Sequence, residues 1–215
     1  MPDFAIEDGC RGVVCGIDEA GRGPLAGPVV AAAVIIDRAR FSAELSETLD
    51  DSKVLRRSVR EACYRALFAC ARIGVGSASV VEIDRINILR ASHLAMTRAV
   101  AALGVPADIA LVDGHLAPPL PCAVQTVVKG DGLSLSIAAA SVVAKVTRDR
   151  IMRALGGRHP AYGWETNVGY ATREHAEAIA RVGITRHHRR SFEPVRLAAE
   201  GPPILDLFPV TQENN

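Results

Sequence analysis

The sequence predicts a mixed α/β domain built on one central sheet, and three observations carry that prediction. Short apolar runs rich in Val and Ile, at 13–17 and 29–36, come first and have the length of buried strands. Segments with helical spacing alternate with further short strands after them. The chain has 215 residues, 49% of them apolar, and a formal net charge of +1, which suits one well-cored domain, or at most two small ones, and excludes disorder.

The first two strands are separated only by "DEAGRGPLAGP", and so short a connection favours antiparallel neighbours. Within 50–72, Val59, Cys63, Ala66, Leu67 and Cys70 recur at helical spacing. A strand follows at 72–80. The segment 87–103 is a second helix with Ile88, Ala91, Leu94, Ala95 and Val100 inward, stopped by Gly104 and Pro106. Apolar strands at 107–114 and 122–132 end in Asp113 and near Asp131. A small-residue helix covers 134–155 and is closed by Gly156 and Gly157. The stretch 159–195 reads as a loop, one basic helix and a final segment. No internal repeat and no linker interrupts the chain.

The near-neutral total hides an uneven distribution. Eleven Lys/Arg face five Asp/Glu between Lys145 and Arg196, whereas the first sixty residues hold ten acids and eight bases. An acidic focus beside a basic stretch suits a polyanionic partner handled by an acidic centre, and a solvated helical surface explains the basic stretch equally well. The five cysteines form no Cys-x-x-Cys pair and no zinc pattern with the six histidines. Their odd count and the lack of a secretory signal predict reduced thiols and a cytoplasmic location. The apolar runs are too short for a membrane span.

Three strands therefore end in acid: Asp18-Glu19, Asp113 and Asp131. Strand ends of one sheet lie close together, so four carboxylates can converge. Neighbouring strand residues point to opposite faces, so Asp18 and Glu19 meet only where the strand ends or bulges. Clustered carboxylates raise one another's pKa unless a cation neutralises them, and all-oxygen ligands suit Mg²⁺ or Mn²⁺. Position alone leaves the fourth acid open between Asp131, at a loop, and Asp149, halfway along a helix between Arg148 and Arg150.

The segments "GIDEAGRGPLAGPVVAAAVI", "DDSKVL", "EIDRINILRASHLAMTRAV", "LVDGH", "VVKGDGLSLSIAAASVVAKVTRDRIM", "GYATREH" and "HRRSFEPV" together resemble bacterial ribonuclease HII, nearly continuously from Val13 to about Val195. The resemblance implies a ribonuclease H-like fold, a central mixed sheet flanked by helices, with a C-terminal helical extension. It also implies an endonuclease of RNA–DNA hybrids that incises 5′ of single ribonucleotides in duplex DNA and acts as a monomer. Asp18, Glu19, Asp113 and Asp131 match the family's metal-binding acids, which leaves Asp149 structural. The implied mechanism is two-metal hydrolysis leaving 5′-phosphate and 3′-hydroxyl ends.

By the same resemblance Gly21, Arg22 and Gly23 read the 2′-hydroxyl through main-chain atoms, and Tyr170 stacks on the deoxyribose after the ribonucleotide. Ser52 and Lys53 would contact phosphate. Many members carry a basic residue where Val168 stands, and Ser or Thr where Arg56 stands, so a phosphate contact and a helix cap are missing from those positions. The "HHRR" run at 187–190 reads as a phosphate-facing or solvated surface, and Trp164 as packing. A phosphate-loop nucleotide binder fails because no Gly-x4-Gly-Lys-Ser/Thr occurs. The sister ribonuclease HIII carries an added N-terminal platform, and the dozen or so residues before the first strand make that the weaker reading. A hybrid-binding module without catalysis is the remaining rival. The expected organisation is a catalytic domain over 1–196 and a tail over 197–215. In that tail Leu205, Leu207 and Phe208 resemble peptides that dock into the bacterial sliding clamp, although folding back onto their own domain is the favoured reading.

Overall fold

The second strand, Val29–Ile36, carries no polar side chain, and its first six residues are buried. A strand apolar on both faces needs cover on both faces, and the rest of the chain supplies it. The computed structural model describes residues 1–49 and 55–200. Five strands, β1 (Val14–Ala20), β2 (Val29–Ile36), β3 (Ala71–Ala78), β4 (Ile109–Asp113) and β5 (Ala123–Val127), form one sheet in the order β3-β2-β1-β4-β5. The β1–β2 and β2–β3 pairs are antiparallel, and β1–β4 and β4–β5 are parallel. The helices are α1 (Ala5–Asp8), α2 (Ala43–Thr48), α3 (Arg57–Cys70), α4 (Val80–Ala101), α5 (Leu135–Arg158), α6 (Trp164–Asn167), α7 (Arg173–Val182) and α8 (Glu193–Glu200). This is the expected mixed sheet with flanking helices. The expected boundary at 196/197 falls inside α8.

Helix α5 covers one face and α4 the other. Leu135, Ala138, Ala139, Val142 and Val143 of α5 share a core with Ala32 and Val34. Ala91, Ala95, Met96 and Ala99 of α4 share one with Cys15, Ile17, Ala31 and Ala33. Helix α5 lies so close to β1 that a side-chain carbon at Gly16 would collide with the backbone of Ser136 and Ile137. The run of small residues in α5 is the sequence counterpart of that approach.

Three helical boundaries differ from expectation. Helix α4 starts at Val80, not 87, because Ser79 and Glu82 form a reciprocal capping box, and Asn87 (φ 66°) breaks it into two segments. Asn87 Oδ1 then accepts from the Arg90 N–H at 3.0 Å and restarts the helix. Helix α5 runs through Gly156 and Gly157 to Arg158, because Gly156 is there for close contact with Trp164 and Glu165 and not as a stop. Helix α3 begins at Arg57 without any side-chain cap, and short α1 and α2 carry too few residues to show a period.

The segment 159–200 forms its own cluster. Trp164, Tyr162, Ala176, Ile179 and Val195 pack with Leu25, Ala26 and Met152. This block thus grips both the β1–β2 connection and the C-terminal half of α5.

Candidate active site

Asp18 and Glu19 lie inside β1, not past its end, and they face opposite ways. Asp18 is 5% exposed and has a hydrogen bond with Ser141 of α5. Glu19 opens onto a cleft lined by Arg22, Leu89, Ser92, His93, Asp113 and His115. What lets carboxylates gather is an offset in the sheet. β1 pairs with β2 as far as Ala20↔Val30, but with β4 only as far as Ile17↔Val112. The next residues on those two parallel strands are Asp18 and Asp113, so two carboxylates occupy neighbouring positions at one sheet edge.

Burial pushes the Asp18 carboxyl well above the usual carboxylate range, and the charges of Glu19 and then Asp113 push it further. The oxygens meanwhile turn to nearby donors. Asp18 Oδ1 accepts from the Glu19 N–H at 2.7 Å, Asp113 Oδ1 accepts from the Gly130 N–H at 2.7 Å, and Glu19 Oε1 pairs with Arg22 Nη1 at 3.2 Å. Asp131 follows Gly130 in a 3-10 turn. It is not the free loop carboxylate that its position after a strand suggests: it is 6% exposed and has a partner of its own.

Among the described residues no three His, Cys, Asp or Glu side chains are arranged to hold a metal ion. The donor chemistry nevertheless fits a hard divalent cation. A buried carboxylate raised by two like charges is a site whose repulsion a cation would relieve, and every ligand is oxygen.

The turn after β1 stands beside Tyr170. A side-chain carbon at Gly23 would lie 3.9 Å from Tyr170 Cε1, and the Tyr170 ring is 43% exposed with Lys145 Nζ 5.7 Å from its centre. Gly21 has φ +97°, and a side chain there would run into Arg148. Two buried guanidiniums hold this region from behind. Arg189 donates to the carbonyls of Gly21 (2.6 Å), Arg22 (2.8 Å), Gly27 (3.0 Å) and Pro28 (3.3 Å). Arg148 donates to those of Ala26, Pro28 and Val168, each at 3.0 Å. It therefore ties the turn to the Tyr170 loop, where Val168 is held at φ +43°, a costly conformation for a β-branched residue.

His188 and Arg189, 1% and 0% exposed, overturn the solvated or phosphate-facing reading for the middle of 187–190, whereas His187 is half-buried and Arg190 exposed. The partners fix both histidine tautomers. His188 Nδ1 accepts from the Thr185 N–H at 2.9 Å, so its proton is on Nε2, which donates to His175 Nε2 at 3.1 Å. His175 Nδ1 donates to the Tyr170 carbonyl at 2.8 Å, and its Nε2 also accepts from Trp164 Nε1 at 3.0 Å. Burial lowers both histidines, His188 to about 3, so both are neutral at neutral pH. Trp164 packs as expected and also spends its one donor here.

Asp149 pairs with Lys145 (2.8 Å), Arg153 (3.7 Å) and Arg60 (4.0 Å), not with the flanking arginines. Side chains one residue apart on a helix diverge, whereas those four apart meet. Arg150 goes instead to Glu61. Ser52, Lys53 and the tail residues Leu205, Leu207 and Phe208 lie outside the described residues. Sequence reasoning missed Arg148, Arg189 and His175, since nothing in a run of basic residues tells which of them is buried.

A family profile described as Ribonuclease HII matches residues 15–195. A ribonuclease HII of Rhodospirillum rubrum is 59% identical over 200 residues, 92% of each chain, and one of Paramagnetospirillum magneticum is 61% identical over 195 residues, 91% of this chain and 97% of the relative. Among solved structures, the RNase HII of the PCNA:RNase HII complex from Archaeoglobus fulgidus is similar with TM-score 0.71 and 26% identity, over 84% of this chain and 95% of that one.

Proposed function

The chain belongs to the ribonuclease HII family and is an endoribonuclease of RNA–DNA hybrids, and from that premise we propose that it also incises 5′ of single ribonucleotides in duplex DNA. Two-metal hydrolysis would leave 5′-phosphate and 3′-hydroxyl ends. The observation that carries this reading is the neighbouring pair Asp18 and Asp113, with Asp18 buried and raised by like charge. Asp18, Glu19, Asp113 and Asp131 would hold Mg²⁺ or Mn²⁺, and ions there supply the Lewis acidity that phosphodiester hydrolysis requires.

The chain's own groups do the rest. Gly21, Arg22 and Gly23 bring main-chain atoms to the 2′-hydroxyl, the group that separates RNA from DNA. Tyr170, against Gly23, offers its open ring to the sugar that follows. Glu19, which pairs with Arg22 at 3.2 Å, would hold a cation in place of that guanidinium, and Arg22 would then be a phosphate contact. Ser52 and Lys53 are further candidate phosphate contacts, and the enzyme works in the cytoplasm as a monomer, its five cysteines free. Among the described residues no helix is long and apolar enough to cross a membrane. The tail residues Leu205, Leu207 and Phe208 are the candidate contact with a sliding clamp, a reading that the PCNA complex of the Archaeoglobus relative encourages.

The test is a labelled duplex with one ribonucleotide, incubated with Mg²⁺, Mn²⁺ or chelator. Cleavage 5′ of the ribonucleotide only with metal is expected. Equal binding with and without metal and no cleavage in any condition would favour a hybrid-binding module.

A further inference from the structure

Arg189 takes no part in the reading above, yet it is 0% exposed and spends its donors on the turn that the reading depends on. We infer that Arg189 is a positioning residue for sugar recognition: it fixes the Gly21–Gly23 turn so that the N–H groups of Arg22 and Gly23 face the cleft, and it strengthens them as donors. The inference rests on the reading of that turn as the element that meets the 2′-hydroxyl.

The geometry follows from the peptide unit. In a planar trans peptide the N–H of one residue points opposite to the carbonyl of the residue before it, and no peptide bond in the described chain is cis. Arg189 draws back the carbonyls of Gly21 and Arg22, so the N–H groups of Arg22 and Gly23 point away from it. Among the described residues neither N–H donates to a backbone carbonyl.

The charge matters as well as the shape. A hydrogen bond from a cation to a carbonyl polarises the whole peptide, and linked hydrogen bonds reinforce one another. Burial and the neighbouring Arg148 charge lower Arg189 only to about 9, so it remains a cation at neutral pH. A lysine could keep the charge but not the planar fork that reaches four carbonyls at once. Arg148 anchors the far end of the same connection at Ala26 and Pro28, and a side chain at Gly21 would strike it. The turn is thus clamped between two cations on one side and open on the other.

The experiment compares equilibrium binding, by anisotropy in chelator, of a duplex with one ribonucleotide and the same duplex in all-DNA form. Wild type should prefer the ribonucleotide. Arg189→Lys should lose about tenfold of that preference while its affinity for the all-DNA duplex stays close to wild type, measured below the melting temperature of the variant, which falls because buried carbonyls are left unmet. Equal weakening on both duplexes, or a preference retained in full, would overturn the positioning role. Should wild type itself bind both duplexes equally, the reading of the turn falls first and the inference falls with it, whatever Arg189→Lys does. If Arg189→Lys does not fold, Phe192→Leu serves instead, because the Phe192 ring lies 5.0 Å from the guanidinium and leucine keeps its packing against the neighbouring cores. A partial loss of preference then supports the inference, and an unchanged preference rejects it.

Discussion

The sheet edge that carries Asp18, Glu19 and Asp113 and the C-terminal block that carries Arg189 and His175, with Arg148 of α5 against it, both bury ionisable groups, but on opposite terms. At the edge, like charges face one another and Asp18 is driven toward protonation. In the block, each polar atom of His175 and His188 has a partner, and the two guanidiniums are met by carbonyl oxygens. The first region is held together by the fold and the second holds the fold together. Clustered charge left unresolved marks where chemistry takes place, and charge fully met marks where the site is braced.

That contrast can be broken most directly at the edge. Asp18→Asn or Asp113→Asn should lower cleavage in saturating Mg²⁺ by about 10²-fold or more, yet leave the metal-free melting temperature level or slightly higher, since repulsion is relieved. A variant that melts earlier would mean that these carboxylates brace the fold after all. In the block the expectation reverses. His175→Leu strands the donors of Trp164 and His188 and the Tyr170 carbonyl, and should cost about 2–4 kcal/mol in denaturant unfolding, with activity lost in proportion to unfolding.

Tyr170 sharpens the comparison because it belongs to both regions, with its carbonyl on His175 and its ring toward Gly23. Tyr170→Ala keeps the carbonyl, so stability should hold. Single-ribonucleotide substrates should lose about 1–3 kcal/mol of transition-state binding, and long hybrids less. Equal losses on both substrates would take Tyr170 out of the junction.

The most gradual effect is one of pH. His188 is depressed in the folded state, so the unfolded chain binds a proton first as pH falls below the ordinary histidine value of about 6.5. Stability should therefore fall by about 1.4 kcal/mol per pH unit for this group from there down toward about 3. His175 adds to the slope in the same direction. Urea titrations at a series of pH values would show it, and His175→Leu should flatten it. A profile flat below neutrality would mean that these rings are not buried neutral.

The strands, the long helices and the acids were legible because their signals are local. Val29–Ile36 is apolar throughout, and Asp113 closes a short apolar run. The extra turns of α4 have a local signal too, the Ser79–Glu82 capping box. What no local pattern shows is the partner. Arg148 and Arg150 are two residues apart on α5, yet one is buried on carbonyls and the other half-exposed on Glu61. The burial of Asp131 and the turning of Glu19 to Arg22 likewise depend on which segments meet across the fold.

Gly16 holds no charge and touches no candidate substrate group, but a side chain there would strike the backbone of α5, the helix that bears Lys145 and Arg148. Any substitution must lift that helix off β1 or leave the fold. A genetic screen for inactive alleles should therefore return position 16 as readily as a carboxylate. The two classes would differ on a shift to low temperature, where a Gly16→Ala allele should regain some function and an Asp18→Asn allele none.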